Sequence, residues 1–168
     1  MSGAHGAVAA REPLLDFVVK SALWKKEPES EAVIKRAIAA AATEASSGNA
    51  EIAIVLTDDS AIRALNRQWR NRDQATNVLS FPAAKLPGNA GMAVPLGDIV
   101  IAFETLAEEA RAEGIPFTHH LAHLAVHGYL HLMGHDHEAE DDAQIMERLE
   151  TGILARLGVP DPYARRSA

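Results

Sequence analysis

The order of apolar and polar residues along the chain predicts one domain in which strands and helices are mixed. Short apolar or β-branched runs predict strands over residues 14–20, 51–56, 76–81 and 97–103. Apolar residues at helical spacing predict helices over residues 30–46, 104–113 and 140–157, with two more capped by Asp58 or Asp59 and by Thr118. No repeat or linker divides the chain. We therefore expect an α+β fold over residues 12–160, a small mixed β-sheet packed with about five helices, flanked by tails at 1–11 and 161–168.

Three of these helices have an apolar stripe that we expect to face the core. The predicted stripes are Ile62, Leu65 and Trp69 in the first, Leu121, Leu124, Ala125 and Tyr129 in the second, and Ile145, Leu149, Ile153 and Leu157 in the third. The Pro-, Gly- and Ala-rich residues 82–96 between two strands predict a loop of the kind that faces a substrate.

Histidines are concentrated in one part of the sequence, since seven of the eight lie between His119 and His137. His127 and His131 are one helical turn apart, so two imidazoles on one face can bind one ion. Gly134 can end the helix and let the chain turn back to present His137 as a third ligand. Three protein ligands leave a position open for water, which is typical of catalytic zinc sites. His135 is an alternative third ligand.

His123 precedes His127 by one turn but lies about 12 Å from His131 along the helix axis. It cannot easily share an ion with both, so we interpret it as a residue that supports the site, contacts substrate or belongs to the core. An imidazole site also accepts nickel or cobalt, and the sequence does not separate them from zinc.

Composition narrows the range of functions. The net charge of −7 argues against binding nucleic acid by bulk charge, although Arg63, Arg67 and Arg70 form a basic ridge at helical spacing. An ordinary solvated face is the alternative for Arg63 and Arg67. The chain has no cysteine, no apolar run of about 18 residues and no pattern of a secretory signal. We expect a cytoplasmic protein that does not bind membranes.

The spacing H-x-x-x-H-x-x-G-x-x-H resembles that of the metzincin peptidases and predicts a zincin-like metal helix. Those enzymes have a glutamate general base directly after the first histidine, and Gly128 occupies that position here. Peptide cleavage is therefore disfavoured. A phosphodiester instead requires stabilisation of negative charge on its oxygens, which a metal ion and an arginine such as Arg70 provide.

Four segments and the 127–137 motif resemble the YbeY family of metal-dependent endoribonucleases. The segments are Leu65-Asn-Arg-Gln-Trp-Arg-Asn-Arg-Asp73, Thr76-Asn-Val-Leu-Ser-Phe-Pro82, Leu96-Gly-Asp-Ile-Val100 and Asp161-Pro-Tyr163. The resemblance implies zinc bound by His127, His131 and His137, and Arg70 as the functional arginine. It further implies cleavage of single-stranded RNA, maturation of the 3′ end of small-subunit rRNA, and ribosome quality control. His135 stands where the family usually has tyrosine.

The expected partners are single-stranded RNA, rRNA above all, and the small ribosomal subunit or its associated proteins. Arg63, Arg67 and His123 are further candidates for substrate contact. Two alternatives stay open from the sequence: a ribosome assembly factor whose metal is mainly structural, and a metallopeptidase-like hydrolase.

Overall fold

The computed structural model describes residues 12–84, 94–135 and 139–164. Four strands form one mixed sheet in the order β1-β2-β4-β3. β1 pairs with β2 and β2 with β4 in parallel, whereas β3 and β4 are antiparallel. The strands are β1 (Leu14–Val19), β2 (Ala50–Thr57), β3 (Val78–Pro82) and β4 (Val94–Ala102).

Five α-helices and one short 3-10 helix, Ala22–Lys26, accompany the sheet in the described parts of the chain. The α-helices are α1 (Ser30–Glu44), α2 (Asp59–Arg70), α3 (Phe103–Glu113), α4 (Phe117–Leu132) and α5 (Glu140–Arg156). The predicted small mixed sheet with about five helices is therefore confirmed. The predicted tail at 1–11 and most of the predicted loop at 82–96 lie outside the described residues, and the domain boundaries stay a prediction.

The apolar character of β4 follows from its place in the sheet. β4 lies between β2 and β3, and its last four residues, from Ile99 to Ala102, are all buried. A strand covered on both faces is apolar along its length rather than alternating.

α4, which carries most of the histidines, is the most deeply buried helix. Ten of its residues are buried, and they include the predicted stripe from Leu121 to Tyr129. Gly128 lets this helix approach the sheet closely. A Cβ atom at that position would lie 3.0 Å from Ile99 Cγ2 and 3.2 Å from Ser80 Oγ. The Ser80 hydroxyl also donates a hydrogen bond of 3.1 Å to the Gly128 carbonyl.

Gly134 ends α4 as predicted. Its φ of 95° is in the region that favours glycine. Its amide donates to the His131 carbonyl, and the His135 amide donates to the Leu130 carbonyl, both at 3.0 Å. These two bonds form a Schellman motif, which satisfies carbonyls that the end of the helix leaves unpaired.

The two predicted N-caps have different outcomes. The Asp58 carboxylate accepts a hydrogen bond of 2.9 Å from the Ala61 amide, so Asp58 caps α2. The prediction that Thr118 caps α4 is wrong. α4 begins at Phe117 after the N-cap residue Pro116, and no side chain caps it. Thr118 is already inside the first turn, where its backbone has helical conformation.

Two residues of the predicted apolar stripes lie on the surface. Trp69 is 65% exposed, because the buried positions of α2 are Ile62 and Asn66 and the last turn extends past them. Asn66 donates from its amide to the Gln74 carbonyl at 2.9 Å, which satisfies a buried polar side chain. Ile145 is 45% exposed. The buried stripe of α5 is Met146, Glu150, Ile153 and Leu154, which is rotated relative to the predicted one.

No helix within residues 12–84, 94–135 and 139–164 is both long enough and apolar enough to cross a lipid bilayer.

Candidate active site

His127 and His131 lie on one face of α4 and turn their imidazoles towards each other. The two Nε2 atoms are 3.0 Å apart, and both side chains are half-buried. Two nitrogens bonded to one tetrahedral zinc ion at about 2.0–2.1 Å would be about 3.3 Å apart. The observed spacing therefore fits a pair of ligands for one ion. His137, the predicted third ligand, lies outside the described residues.

Glu150 supports His127 from the neighbouring helix α5. Its Oε1 atom is 2.6 Å from His127 Nδ1. An ionised carboxylate only accepts hydrogen bonds, so Nδ1 carries the proton and the lone pair of His127 is on Nε2. A carboxylate behind a ligand histidine fixes its tautomer and orientation, as in many zinc sites.

The same carboxylate binds two further groups through its other oxygen. His123 Nε2 lies 2.7 Å from Glu150 Oε2, and the Tyr163 hydroxyl donates to that oxygen as well. His123 Nε2 is 3.3 Å from the Tyr163 hydroxyl oxygen. Tyr163 follows α5 in the sequence, so three separated parts of the chain meet at one carboxylate.

Glu150 is fully buried. Burial alone would raise the pKa of its carboxyl group, but its contacts with the imidazoles of His123 and His127, chiefly the two hydrogen bonds, outweigh burial and lower the pKa to about 2. The carboxylate is therefore ionised inside the protein and holds the imidazoles around it.

His123, His127 and Glu150 also form a group that could itself hold a metal ion, since one ligand atom from each lies within 4.8 Å of the others. This group and the pair of His127 and His131 share His127. The distances between Glu150 and the imidazoles are those of direct hydrogen bonds, which identifies Glu150 as an acceptor for the histidines in this arrangement.

A cleft of about 640 Å³ brings the predicted arginine to the histidine pair. Arg70 lines it together with His127 and His131, although they are far apart in the sequence. Its other described lining residues are Trp69, Arg72, Thr76, Asn77, Val78, Leu79, Ser80 and Phe81. None of these is acidic, so the cleft is positively charged on a protein whose net charge is −7.

The structure does not bring Arg63 and Arg67 into this lining. Arg63 is exposed and forms an ion pair of 2.8 Å with Asp73, which raises the pKa of Arg63 and lowers that of Asp73 through their hydrogen bond. Arg67 is exposed. His135, the alternative third ligand, is half-buried just after α4.

A second cavity, of about 390 Å³, adjoins the site and shares His127 with the cleft as a lining residue. Asn77 and His127 line both spaces. In this cavity Glu109 Oε1 accepts from the Asn77 amide and lies close to His120 Nε2, both at 2.8 Å. Burial raises the pKa of Glu109, but these two hydrogen bonds and the electrostatic effect of the nearby imidazoles together lower it by more.

Sequence reasoning missed Glu150, although the sequence holds a signal for it. Glu150 lies on the buried stripe of α5, one turn after Met146 and close to Ile153. A carboxylate is almost never fully buried unless it is paired. An acidic residue between core positions on a helix next to a histidine-rich helix therefore indicates a buried partner.

Together, the mixed sheet, the buried histidine helix and the arginine-lined cleft fit the class of metal-binding enzymes. The comparison with known proteins is more specific. The family model described as Endoribonuclease YbeY matches residues 19–158, and the chain belongs to this family.

Curated relatives match along most of their length. The chain is 55% identical over 159 residues to an Endoribonuclease YbeY of Bradyrhizobium diazoefficiens, covering 92% of this chain and 87% of that protein. It is 53% identical to one of Rhodopseudomonas palustris over 90% of this chain and 93% of the relative. A solution structure of a Thermotoga maritima protein matches with a TM-score of 0.47 and 21% identity, covering 86% of this chain and 92% of the other.

Proposed function

We propose that this protein is a zinc-dependent, single-strand-specific endoribonuclease that acts in the cytoplasm on rRNA. Its targets would include the 3′ end of small-subunit rRNA, and its partners the small ribosomal subunit or proteins bound to it. The observation that supports this most directly is the meeting of His127, His131 and Arg70 in one cleft of a chain that belongs to the Endoribonuclease YbeY family.

We assign His127, His131 and His137 as the zinc ligands. The pair on α4 fits because its Nε2 atoms are spaced as two donors to one ion and because Glu150 fixes the tautomer of His127. When bound, zinc supplies a Lewis acid for phosphate oxygens and a means of activating water. Nickel or cobalt would suit the same donors, and a metal analysis of the purified protein distinguishes them.

Arg70 is assigned to the scissile phosphate. Its planar guanidinium can donate two parallel hydrogen bonds to phosphate oxygens. The charge that builds up on those oxygens during cleavage would then be offset by an arginine of α2 in the cleft that also holds the imidazoles of α4.

Gly128 argues against the peptidase alternative. The glutamate that metzincins use as a base would start from a Cβ atom only 3.0 Å from Ile99 Cγ2 and 3.2 Å from Ser80 Oγ. Any side chain at this position would force Ile99 and Ser80 to shift, so the close packing of α4 on the sheet disfavours it. The position is therefore part of the core and not of the catalytic apparatus.

The test is cleavage of a labelled single-stranded RNA and of the same sequence in a duplex. Wild type should cleave the single strand, and Arg70→Glu and His131→Ala should abolish cleavage. Two matched controls, Arg36→Glu on the exposed face of α1 and His119→Ala at the start of α4, should retain it. Full activity of Arg70→Glu or of metal-free protein would refute the proposal.

The same variants test the assembly-factor alternative. It predicts that His131→Ala loses its cellular function only because it unfolds at lower temperature. A His131→Ala protein that is folded, stable and inactive would exclude it. The ends of the RNA products identify the nucleophile, because a 2′,3′-cyclic phosphate arises only from attack by the 2′-hydroxyl of the RNA.

A further inference from the structure

Trp69 is a large, exposed aromatic residue that lines the cleft. Its side chain is 65% exposed, although apolar periodicity along α2 would place it in the core. The other tryptophan, Trp24, is 4% exposed and donates from its indole to the Thr57 carbonyl at 2.8 Å. A single exposed indole is not unusual in itself, but Trp69 also lines the cleft that holds Arg70 and the histidine pair.

The ring of Trp69 is held in place from one side. Its centroid lies 6.4 Å from that of Phe81 on β3, with an angle of 65° between the ring planes. This is an edge-to-face contact, which orients the indole and leaves most of its surface in solvent. Two residues after Trp69, Asn71 ends α2 with a φ of 57° and donates its amide to the Asn66 carbonyl. Trp69 therefore belongs to the last turn of a capped helix.

The residues around Trp69 define what can bind to it. Arg70, Arg72 and the imidazoles of His127 and His131 line the same cleft as Trp69. The guanidinium groups of Arg70 and Arg72 are suited to bind phosphates, and an exposed indole next to them can stack on a base. Unpaired nucleotides in a single strand present both groups at once, whereas bases in a duplex are stacked on their neighbours and unavailable.

We propose that Trp69 stacks on an unpaired base of the RNA next to the phosphate held by Arg70, and that this contact gives the enzyme its preference for single strands. The inference rests on the proposed function and deepens it by identifying a residue that determines specificity. An exposed tryptophan can also anchor a protein partner. RNA is favoured because the described lining of the cleft is basic and holds no acidic side chain.

The experiment measures binding of 2′-O-methyl oligonucleotides, which are checked to be intact afterwards. The ligands are a single strand, the same strand paired with its complement, and an abasic strand of equal length that keeps the phosphates. Wild type is compared with Trp69→Leu, Trp69→Ala and Trp69→Phe, all in the full chain loaded with zinc. Thermal denaturation of each variant shows whether loss of the Phe81 contact has destabilised it.

Trp69→Leu and Trp69→Ala should bind the single strand roughly 5- to 150-fold more weakly than wild type, which corresponds to about 1–3 kcal/mol for one stacked base. Trp69→Phe keeps an aromatic face and should stay within a few-fold of wild type. Binding of the abasic strand should be the same for all four proteins. In wild type the single strand should also quench the indole fluorescence, and Trp69→Phe should lose this quenching because Trp24 is buried.

Several outcomes would overturn the proposal. Equal losses on the abasic strand would mean that Trp69 shapes the cleft rather than binding a base. Unchanged affinity of Trp69→Leu, or no quenching of wild type by the single strand, would exclude stacking even if a variant fails to fold. If wild type cleaves RNA and Trp69→Leu binds the single strand as tightly as wild type, the stacking proposal is refuted and the proposed function stands. Base-dependent quenching without any cleavage would instead refute the proposed function.

Discussion

Replacing Glu150 with glutamine changes one buried group without changing its shape. The carboxylate accepts from His127 through one oxygen and contacts His123 and Tyr163 through the other. Glutamine has only one acceptor oxygen for these three donors. Its NH₂ group would face the donors that the oxygen does not reach. If the amide oxygen keeps its hydrogen bond from His127, the NH₂ group faces His123 and Tyr163. Those two hydrogen bonds are then lost, or the NH₂ group becomes the donor.

The expected loss of stability follows from the pKa of Glu150, which burial raises and hydrogen bonds lower. Its pKa of about 2, compared with 4.5 for an ordinary glutamate, means that the fold favours the ionised over the neutral form by about 3 kcal/mol. Glutamine imitates the neutral form. We therefore expect a loss of about 3 kcal/mol in the free energy of unfolding, which for a chain of this size lowers the melting temperature by about 6–12 °C.

Zinc affinity should fall as well, because the imidazole of His127 is less firmly oriented and less basic. Loss of such a supporting carboxylate typically weakens metal binding by about 10–100-fold. The assays are thermal denaturation with and without zinc, and competition for zinc against a chromophoric chelator. Glu147→Gln, the same change one turn earlier on α5 at a half-buried position, is the control and should behave like wild type.

Two results would refute this reasoning. If Glu150→Gln binds zinc as tightly as wild type, the carboxylate does not support a metal ligand. If it melts at the same temperature as wild type, the hydrogen bonds around Glu150 do not outweigh the cost of burying its charge.

Further substitutions test separate parts of the structure. Gly128→Ala should lower stability by about 1–3 kcal/mol, measured by denaturant unfolding, because α4 cannot move away from Ile99 without repacking; an unchanged midpoint would contradict the close contact. Tyr163→Phe should weaken zinc binding less than Glu150→Gln does, since both imidazoles keep their carboxylate, and an equal loss in the same competition assay would be against this ranking. Asp58→Ala should cost about 1 kcal/mol through loss of the α2 cap, and no change in thermal unfolding would exclude that role.

The elements of the fold could be predicted because their signals are local. β4 ends in a continuous apolar run from Ile99 to Ala102, and Gly134 ends α4 where the histidine pattern requires a turn. The predictions that were wrong concern which helix residues the rest of the protein covers, as Trp69 and Ile145 show. Trp69 continues the apolar period of α2, but Asn66 is the last buried residue of this helix. The period of apolar residues does not show how far along the helix the covering surface extends.

Which residues of the candidate site lie close together could be predicted only where they lie on one helix. His127 and His131 follow from helical spacing alone. Their meeting with Arg70 depends on how α2 and α4 are placed around the sheet, which no short-range pattern specifies. Glu150 was missed for the same reason, because its hydrogen bonds to His123 and His127 join two helices that are separate in sequence.

The contact between Tyr163 and Glu150 has a consequence for the order of events during synthesis. A ribosome releases His123 and His127 first, Glu150 later and Tyr163 last. Until residue 150 has emerged, the imidazoles lack the carboxylate that selects their tautomer, and until residue 163 has emerged, that carboxylate lacks its hydroxyl partner. A nascent chain therefore cannot complete these contacts until residue 163 has left the ribosome, so an RNA-cutting activity next to the ribosome would be withheld until then.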